Sequence, residues 1–166
     1  MNKWVVISLG NRFRGDDSVG PYILNRLRDQ VGHMAECIEN GGDIGQLLDD
    51  WKQRCVCLVD AVMDQGGRVG DIVRIDGLSE DLPQNLSTTS SHGLSLVEAI
   101  ELGKTLDALP HHLAIYAICG ENFAISAGLS PAVKAAATTV EQEIVELLNR
   151  QEANNARAIP DPKPGR

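Results

Sequence analysis

Apolar and polar positions follow two patterns along this chain, and their alternation predicts an α/β domain. Short, nearly unbroken apolar runs are typical of strands that are covered on both faces of a sheet. Longer stretches with an apolar residue about every fourth position indicate amphipathic helices. The predicted strands are residues 3–9, 35–39, 55–59, 71–75 and 113–118. The predicted helices are residues 18–31, a helix capped by Asp43, a helix through Leu96 and Ile100, and a last helix opened by Ser130 and Pro131.

The connection between the third and fourth predicted strands is too short for a helical crossover. Residues 61–70 separate the two strands, whereas a parallel crossover needs about a dozen residues or more, usually including a helix. The run Gln65-Gly66-Gly67 within it is typical of a turn. We therefore expect the fourth strand to run antiparallel to the others, and the polar loop 76–91 to return the chain towards the opposite edge.

The length of 166 residues fits one domain. The helical pattern stops at Gln151, and residues 158–166 are polar and rich in proline. The sequence thus predicts a single domain over residues 1–150 and a tail over residues 151–166 that lies on the surface or is disordered.

Charge and composition narrow the function classes. Lys and Arg number 15 against 23 Asp and Glu, a formal net charge of -8. This charge argues against sequence-independent nucleic-acid binding and against binding to anionic membranes. No apolar run approaches the roughly 18 residues of a membrane helix, and the start of the chain does not resemble a signal peptide. We expect a cytoplasmic protein and, since acidic charge favours solubility, a monomer.

The candidate chemistry lies in three polar segments that follow predicted strands, because ligands of open α/β sheets bind at the carboxyl ends of the strands. Asp16 and Asp17 follow the first strand, Asp60 ends the third, and His92 ends the return loop. The first loop has neither the spacing of a dinucleotide fingerprint nor a Walker A motif. Asp16 or Asp17 can cap the following helix, which leaves the other carboxylate to point into the crevice.

Together, Asp17, Asp60 and His92 make an open-sided set of metal ligands. Oxygen and nitrogen donors of this kind suit zinc, nickel, manganese or iron. A metal-free alternative is a pair of carboxylates that activates water. In the metal-binding alternative, Asp16 would support the neighbouring ligand, Asp17, through hydrogen bonds.

The other histidines and the cysteines are weaker candidates for chemistry. His33, His111 and His112 are expected on the surface, the latter two at the amino end of the fifth strand. The 4 cysteines include no CxxC pair, so we expect buried structural thiols, with Cys119 a remote candidate for a nucleophile.

An ordered set of short motifs resembles the endopeptidases that mature nickel–iron hydrogenases. The resemblance covers roughly residues 3–150. The motifs are Gly10-Asn11-x-x-x-Gly15-Asp16-Asp17-x-x-Gly20, Gly41-Gly42, Val59-Asp60-Ala61, Ser91-His92-Gly93-Leu94 and Gly128-Leu129-Ser130-Pro131. It implies a three-layer α/β/α sandwich, phosphorylase/hydrolase-like, whose five-stranded mixed sheet is mostly parallel, with strand four antiparallel.

The resemblance also implies an activity and a site. Such a protease removes the C-terminal extension of a nickel–iron hydrogenase large-subunit precursor after nickel insertion. The metal-binding and catalytic positions carry over to Asp17, Asp60 and His92, with Asp17 where many relatives have Glu. The nickel is supplied by the precursor, so the protease needs no permanently bound metal. Asp43 replaces a small polar residue of the family, and it is either a helix cap or a residue that faces the site.

Three other functions stay open. The first is a peptidase of the same fold that acts on another precursor. The second is a nickel-checking chaperone that does not cleave. The third, a nucleotide-binding domain, is disfavoured by the acidic first loop. Within the protease hypothesis, either substrate-bound nickel or one of Asp17 and Asp60 activates the attacking water.

Overall fold

The computed structural model describes residues 3–63, 67–79 and 96–158. His92 therefore lies outside the described residues, with most of the predicted return loop. A 3₁₀ helix over Gly15–Ser18 precedes the first α-helix. The remaining elements, in chain order, are β1 (Trp4–Leu9), α1 (Val19–Val31), β2 (Ala35–Asn40), α2 (Ile44–Trp51), β3 (Cys55–Met63), β4 (Ile72–Asp76), α3 (Leu96–Thr105), β5 (His112–Gly120) and α4 (Pro131–Ala158).

The five strands form one mixed sheet in the order β2-β1-β3-β5-β4. β1 pairs parallel with β2 and β3, and β3 pairs parallel with β5, whereas β4 pairs antiparallel with β5. The predicted antiparallel fourth strand is confirmed. β4 lies at the edge of the sheet beside β5, and it does not pair with β3, which precedes it in the sequence.

Two apolar cores cover the two faces of the sheet. Leu27 of α1 and Ile144 of α4 belong to the first core, together with Val6 of β1. Leu47 of α2 and Ile100 of α3 belong to the second. Because alternate strand residues point to opposite faces, nearly continuous apolar strands supply both cores. The result is the three-layer sandwich that the sequence resemblance implies.

β3 is longer than its apolar run predicts, and so is its partner β5, which spans His112–Gly120 against the predicted 113–118. β3 continues past Asp60 to Met63, because its ladder with β5 extends to the pair Met63–Gly120. The pairing of β3 with β1 ends earlier, at Ser8–Val59. Asp60 was predicted to end the strand, and that prediction is wrong: Asp60 lies inside β3, just beyond the last residue paired with β1.

The last helix also exceeds its predicted length. α4 continues past Gln151, where the sequence pattern stops, and ends at Ala158. Residues 152–158 are exposed, so this part of the helix lies on the surface. The domain boundary at residue 150 stays a prediction, and residues 159–166 lie outside the described part of the chain. No helix within the described ranges is long and apolar enough to cross a membrane.

Substituting Gly20 tests the packing of α1 against the sheet. A Cβ at Gly20 would lie 2.6 Å from the Leu9 carbonyl oxygen and 3.1 Å from that of Val59. Since both are backbone atoms, Gly20→Ala must displace α1, and we expect it to lower the free energy of unfolding by about 2 kcal/mol. Urea titration measures this change. Gly41→Ala is the control, because a Cβ at Gly41 meets no atom of the described residues within 4 Å. Equal losses in the two variants would contradict the proposed contact.

Candidate active site

Asp17 is held by the loop that follows β1. Its side chain is buried, and its Oδ2 accepts a hydrogen bond of 2.9 Å from the Asn11 amide. The loop folds back at Gly10, whose φ of 109° suits glycine. A Cβ at Gly10 would lie 2.9 Å from Asp17 Oδ1 and 2.3 Å from the Asp17 carbonyl oxygen. The motif glycine therefore permits the close approach that fixes Asp17 at the carboxyl end of β1.

Asp60 is a buried carboxylate with one oxygen unsatisfied. Its Oδ1 accepts a hydrogen bond of 2.8 Å from the Ala61 amide. Its Oδ2 is buried and has no hydrogen-bond partner among the described residues. Burial raises the pKa of Asp60 well above its ordinary value, and the charge of Asp17 raises it further, while the Ala61 hydrogen bond acts in the opposite direction. This arrangement favours a proton or a cation at Asp60.

The structure brings two of the three candidate residues to the same place. A Cβ at Gly10, just after β1, would lie 2.9 Å from Asp17 Oδ1, and Asp60 directly follows the last residue of β3 that pairs with β1, so both carboxyl groups lie at the carboxyl edge of these strands. His92 lies outside the described residues. Within residues 3–63, 67–79 and 96–158 no group of three or more His, Cys, Asp or Glu side chains could hold a metal ion. The roles of Asp17, Asp60 and His92 as ligands or catalytic groups stay predictions.

The first residue of α3 lies towards the carboxyl edge of the sheet. The chain that follows α3 lies at the start of β3, since the Ala108 carbonyl accepts from Trp51 Nε1 at 2.8 Å and the His111 amide donates to Arg54 at 2.8 Å. A helix of 10 residues spans about 15 Å. Leu96, its first residue, therefore lies towards the carboxyl edge of the sheet, where Asp60 is found.

The face of Asp60 agrees with this placement. Val56 and Leu58 belong to the core shared with α2 and α3, whereas Cys57 and Val59 belong to the other core. By alternation along β3, Asp60 lies on the face of Val56 and Leu58. This is the face that α3 covers.

Asp16 is buried but fully hydrogen-bonded, in contrast to Asp60. Its Oδ2 accepts from the amides of Glu121 at 2.9 Å and Asn122 at 3.1 Å and from Ser130 Oγ at 2.7 Å, and its Oδ1 accepts from the Ser130 amide at 2.7 Å. Burial alone would raise the pKa of Asp16, but the hydrogen bonds from Ser130, Glu121 and Asn122 outweigh burial and lower it. Asp16 thus fastens the segment 121–130 to the 3₁₀ helix.

Neither acidic residue of the first loop caps α1, so that prediction is wrong. The N-cap of α1 is Ser18, which makes no capping hydrogen bond with its side chain. Asp16 bonds the segment after β5, and Asp17 accepts from Asn11. Nothing local in the sequence points to the first of these contacts, because Ser130 is 114 residues from Asp16.

The remaining candidates have structural or surface positions. Asp43 caps α2 by accepting from the Gln46 amide at 3.0 Å, which decides between its two predicted roles. The three other histidines are exposed, as predicted. Cys57 and Cys119 are buried and Cys37 and Cys55 are partly exposed. Burial raises the pKa of Cys57 to about 12, so its thiol is a poor nucleophile.

A cavity of about 420 Å³ lies at the other end of β5, away from the carboxylates. Its lining includes Trp4 and His112, whose rings stack with centroids 6.3 Å apart. Arg74, which also lines it, is already hydrogen-bonded to Glu143. We place the candidate active site at the carboxyl edge instead, because that edge holds Asp60, whose buried Oδ2 has no hydrogen-bond partner among the described residues.

Comparison with known families agrees with the motifs. The sequence model of the HycI hydrogenase maturation proteases matches residues 22–147. The chain belongs to the hydrogenase maturation protease family. It is therefore a peptidase that acts in hydrogenase maturation. No curated protein sequence matches the chain.

Solved structures of similar fold bear the same family name. The Escherichia coli hydrogenase maturating endopeptidase HybD has a TM-score of 0.76 at 21% identity, covering 90% of this chain and 93% of its own. The [NiFe] hydrogenase maturation protease HybD from Thermococcus kodakarensis has a TM-score of 0.70 at 20% identity, with coverages of 88% and 99%. HycI from Thermococcus kodakarensis KOD1 has a TM-score of 0.62 at 21% identity, with coverages of 89% and 93%. At these identities the likeness supports the fold of the maturation protease.

The raised pKa of Asp60 has a consequence for stability. The folded state binds the Asp60 proton more tightly than the unfolded chain does. Stability therefore falls as the pH rises from the unfolded pKa of about 3.9 through the folded pKa. We expect Asp60→Asn to raise the free energy of unfolding at pH 7 by about 1 kcal/mol or more, with a smaller gain towards pH 4. Urea titrations at both pH values measure it, and a less stable variant at pH 7 would contradict the interpretation.

Asp16 affects the pH dependence of stability in the opposite direction to Asp60. Its pKa is lowered in the fold, so its contribution is present above the unfolded pKa and is lost as the pH falls through the folded value. We expect Asp16→Asn to cost about 3 kcal/mol at pH 7, because the amide NH₂ would face N–H donors. Urea titration measures the loss. The control is Asp29→Asn, an exposed aspartate of α1, which should change stability by less than about 0.5 kcal/mol. If Asp16→Asn changed stability as little as Asp29→Asn, Asp16 would not stabilise the fold in this way.

Proposed function

We propose that this maturation protease removes the C-terminal extension of a nickel–iron hydrogenase large-subunit precursor, in the cytoplasm, after nickel has been inserted. The observation that supports the proposal most directly is the buried Oδ2 of Asp60, which lacks a hydrogen-bond partner among the described residues. It lies close to the second buried carboxyl group, Asp17. Two buried carboxylates repel each other, and a cation brought by the substrate would relieve both the repulsion and the unsatisfied oxygen.

Nickel held by the precursor is the cation that we propose. The ligands from this chain are Asp17, Asp60 and His92, because oxygen and nitrogen donors suit a divalent first-row metal. The placement of α3 supports the inclusion of His92, since Leu96, its first residue, lies towards the edge where Asp60 lies, and His92 is four residues earlier in the sequence. The protease then needs no resident metal, and a precursor without nickel gives Asp17 and Asp60 nothing to bind.

The carboxyl groups of the chain can also move protons. A general base or acid works best when its pKa is near the working pH, and burial moves the pKa of Asp60 in that direction. We propose that Asp60 exchanges a proton with the attacking water or the leaving amine. Nickel on the substrate would polarise the scissile carbonyl. Asp17, held by the Asn11 amide, would orient the metal-bearing segment.

Cleavage of nickel-loaded and nickel-free precursor, followed by intact mass, tests the proposal. We expect the purified protein to release a C-terminal peptide from the loaded precursor alone. Cleavage of both forms would retain the peptidase and remove nickel from recognition. Binding of the loaded form without cleavage would favour a nickel-checking chaperone. If the protein cleaves neither form of the hydrogenase precursor but cleaves some other precursor, the result would favour a peptidase with a different substrate. Sedimentation of the same sample tests the predicted monomer.

Three substitutions test the proposed residues in the same assay. Asp17→Asn, Asp60→Asn and His92→Ala should each lower the rate of cleavage at least about 100-fold, because each removes a proposed ligand or proton carrier. The control is His111→Ala, an exposed histidine at the opposite edge of the sheet, which should cleave at the parental rate. Full activity in any two of the three variants would overturn the assignment of the site.

A further inference from the structure

Large apolar side chains are exposed beside the buried carboxylates. Within the described residues the two most exposed are Phe13, at 69%, and Ile125, at 77%. Phe13 lies in the loop after β1, four residues before Asp17, and Ile125 lies in the segment after β5. Met63, at 58%, ends β3 three residues after Asp60. Exposed apolar groups gathered at one edge of a soluble domain indicate a binding surface.

Phe13 and Ile125 lie on two segments that are bonded to each other. The Ser126 amide donates to the Phe13 carbonyl at 2.9 Å, and Arg14 and Ile125 form an antiparallel bridge. The four hydrogen bonds to Asp16 hold the same segment. Both apolar side chains therefore project from a backbone that is already ordered, which reduces the entropy lost on binding.

The carboxylates need a partner that crosses this surface. Asp17 is 0% exposed and Asp60 is 2% exposed, so a substrate has to pack against the surrounding loops to reach them. The loops of Phe13 and Ile125 border the 3₁₀ helix that holds Asp17. The apolar surface thus borders the 3₁₀ helix that carries Asp17.

A charged group beside the apolar pair defines the chemistry of the partner further. Nη1 of Arg14 is buried and has no hydrogen-bond partner within the described part of the chain. A buried donor without an acceptor is unfavourable, and a peptide carbonyl or carboxylate would satisfy it. The complementary partner is a polypeptide segment that places an apolar side chain next to an acceptor oxygen.

We propose that Phe13 and Ile125 form the docking surface for an apolar segment of the hydrogenase precursor near its cleavage site, and that Arg14 donates to an oxygen of that segment. This inference rests on the proposed function. It assigns to the two apolar residues a role in affinity for the precursor, separate from the chemistry at Asp17 and Asp60.

Binding and cleavage of the nickel-loaded precursor by Phe13→Ser and Ile125→Ser test the proposal. Each variant should bind the precursor about tenfold more weakly and lose kcat/KM by the same factor, while kcat at saturating precursor stays within about twofold. Since both side chains are exposed, the variants should unfold at the parental urea concentration. The matched control is Leu106→Ser, 58% exposed after α3 at the opposite edge, which should bind and cleave as the parent does.

The outcomes separate this inference from the proposed function. If the parent binds and cleaves, and both variants match Leu106→Ser, the docking surface is wrong and the proposed function stands. If the parent binds without cleaving, weaker binding by the two variants still supports the surface, whereas the protease function fails. If the parent neither binds nor cleaves, both fail. If the variants instead abolish a dimer of this chain and leave precursor binding unchanged, the surface serves self-association and the proposal is overturned.

Discussion

The hydrogen bonds of Asp16 join the two loops that the candidate active site depends on. Its carboxylate accepts from the amides of Glu121, Asn122 and Ser130, and the Asp16 amide donates to the Asn122 carbonyl at 2.8 Å. A Cβ at Gly15 would lie 2.1 Å from that carbonyl oxygen, so the loops approach more closely than a side chain allows. This contact sets the position of the 3₁₀ helix. It thereby sets the position of Asp17, the residue that follows Asp16.

Asp16 and Asp60 are both buried, yet their surroundings act on them in opposite ways. Asp16 has four donors, which lower its pKa despite burial, so it stays charged and rigid. Among the described residues Asp60 has one, the Ala61 amide, and burial raises its pKa. Pairs of acidic groups whose pKa values are driven apart by their environments commonly divide structural and chemical roles. The satisfied carboxylate stabilises the fold, and the unsatisfied one is available to a proton or a cation.

Much of the fold follows from local signals in the sequence. The short connection before β4 predicts its antiparallel direction, and Asp43 at a helix start predicts the cap of α2. The extension of β3 past Asp60 does not follow, because it depends on pairing with β5 residues such as Ile118. The partners of Asp16 could not be predicted either, since the sequence around Ser130 indicates only the start of a helix. The sequence indicates Asp17 and Asp60 as candidate site residues. It does not indicate that Asp16 is fully hydrogen-bonded while Asp60, among the described residues, is not.

Under the proposed function, Asp60, whose Oδ2 has no hydrogen-bond partner among the described residues, gives a physical route to selectivity without a resident metal. Keeping a buried carboxyl group short of partners lowers the stability of the free protein at neutral pH. Under the proposed function, a cation on the substrate would recover that cost at Asp60, so a substrate that carries it would gain interaction energy that a bare polypeptide cannot. The apolar surface of Phe13 and Ile125 would bind loaded and unloaded precursor alike, because it does not contact the metal. Discrimination between the two precursors must then arise at the carboxylates, and affinity for the polypeptide at the surface beside them.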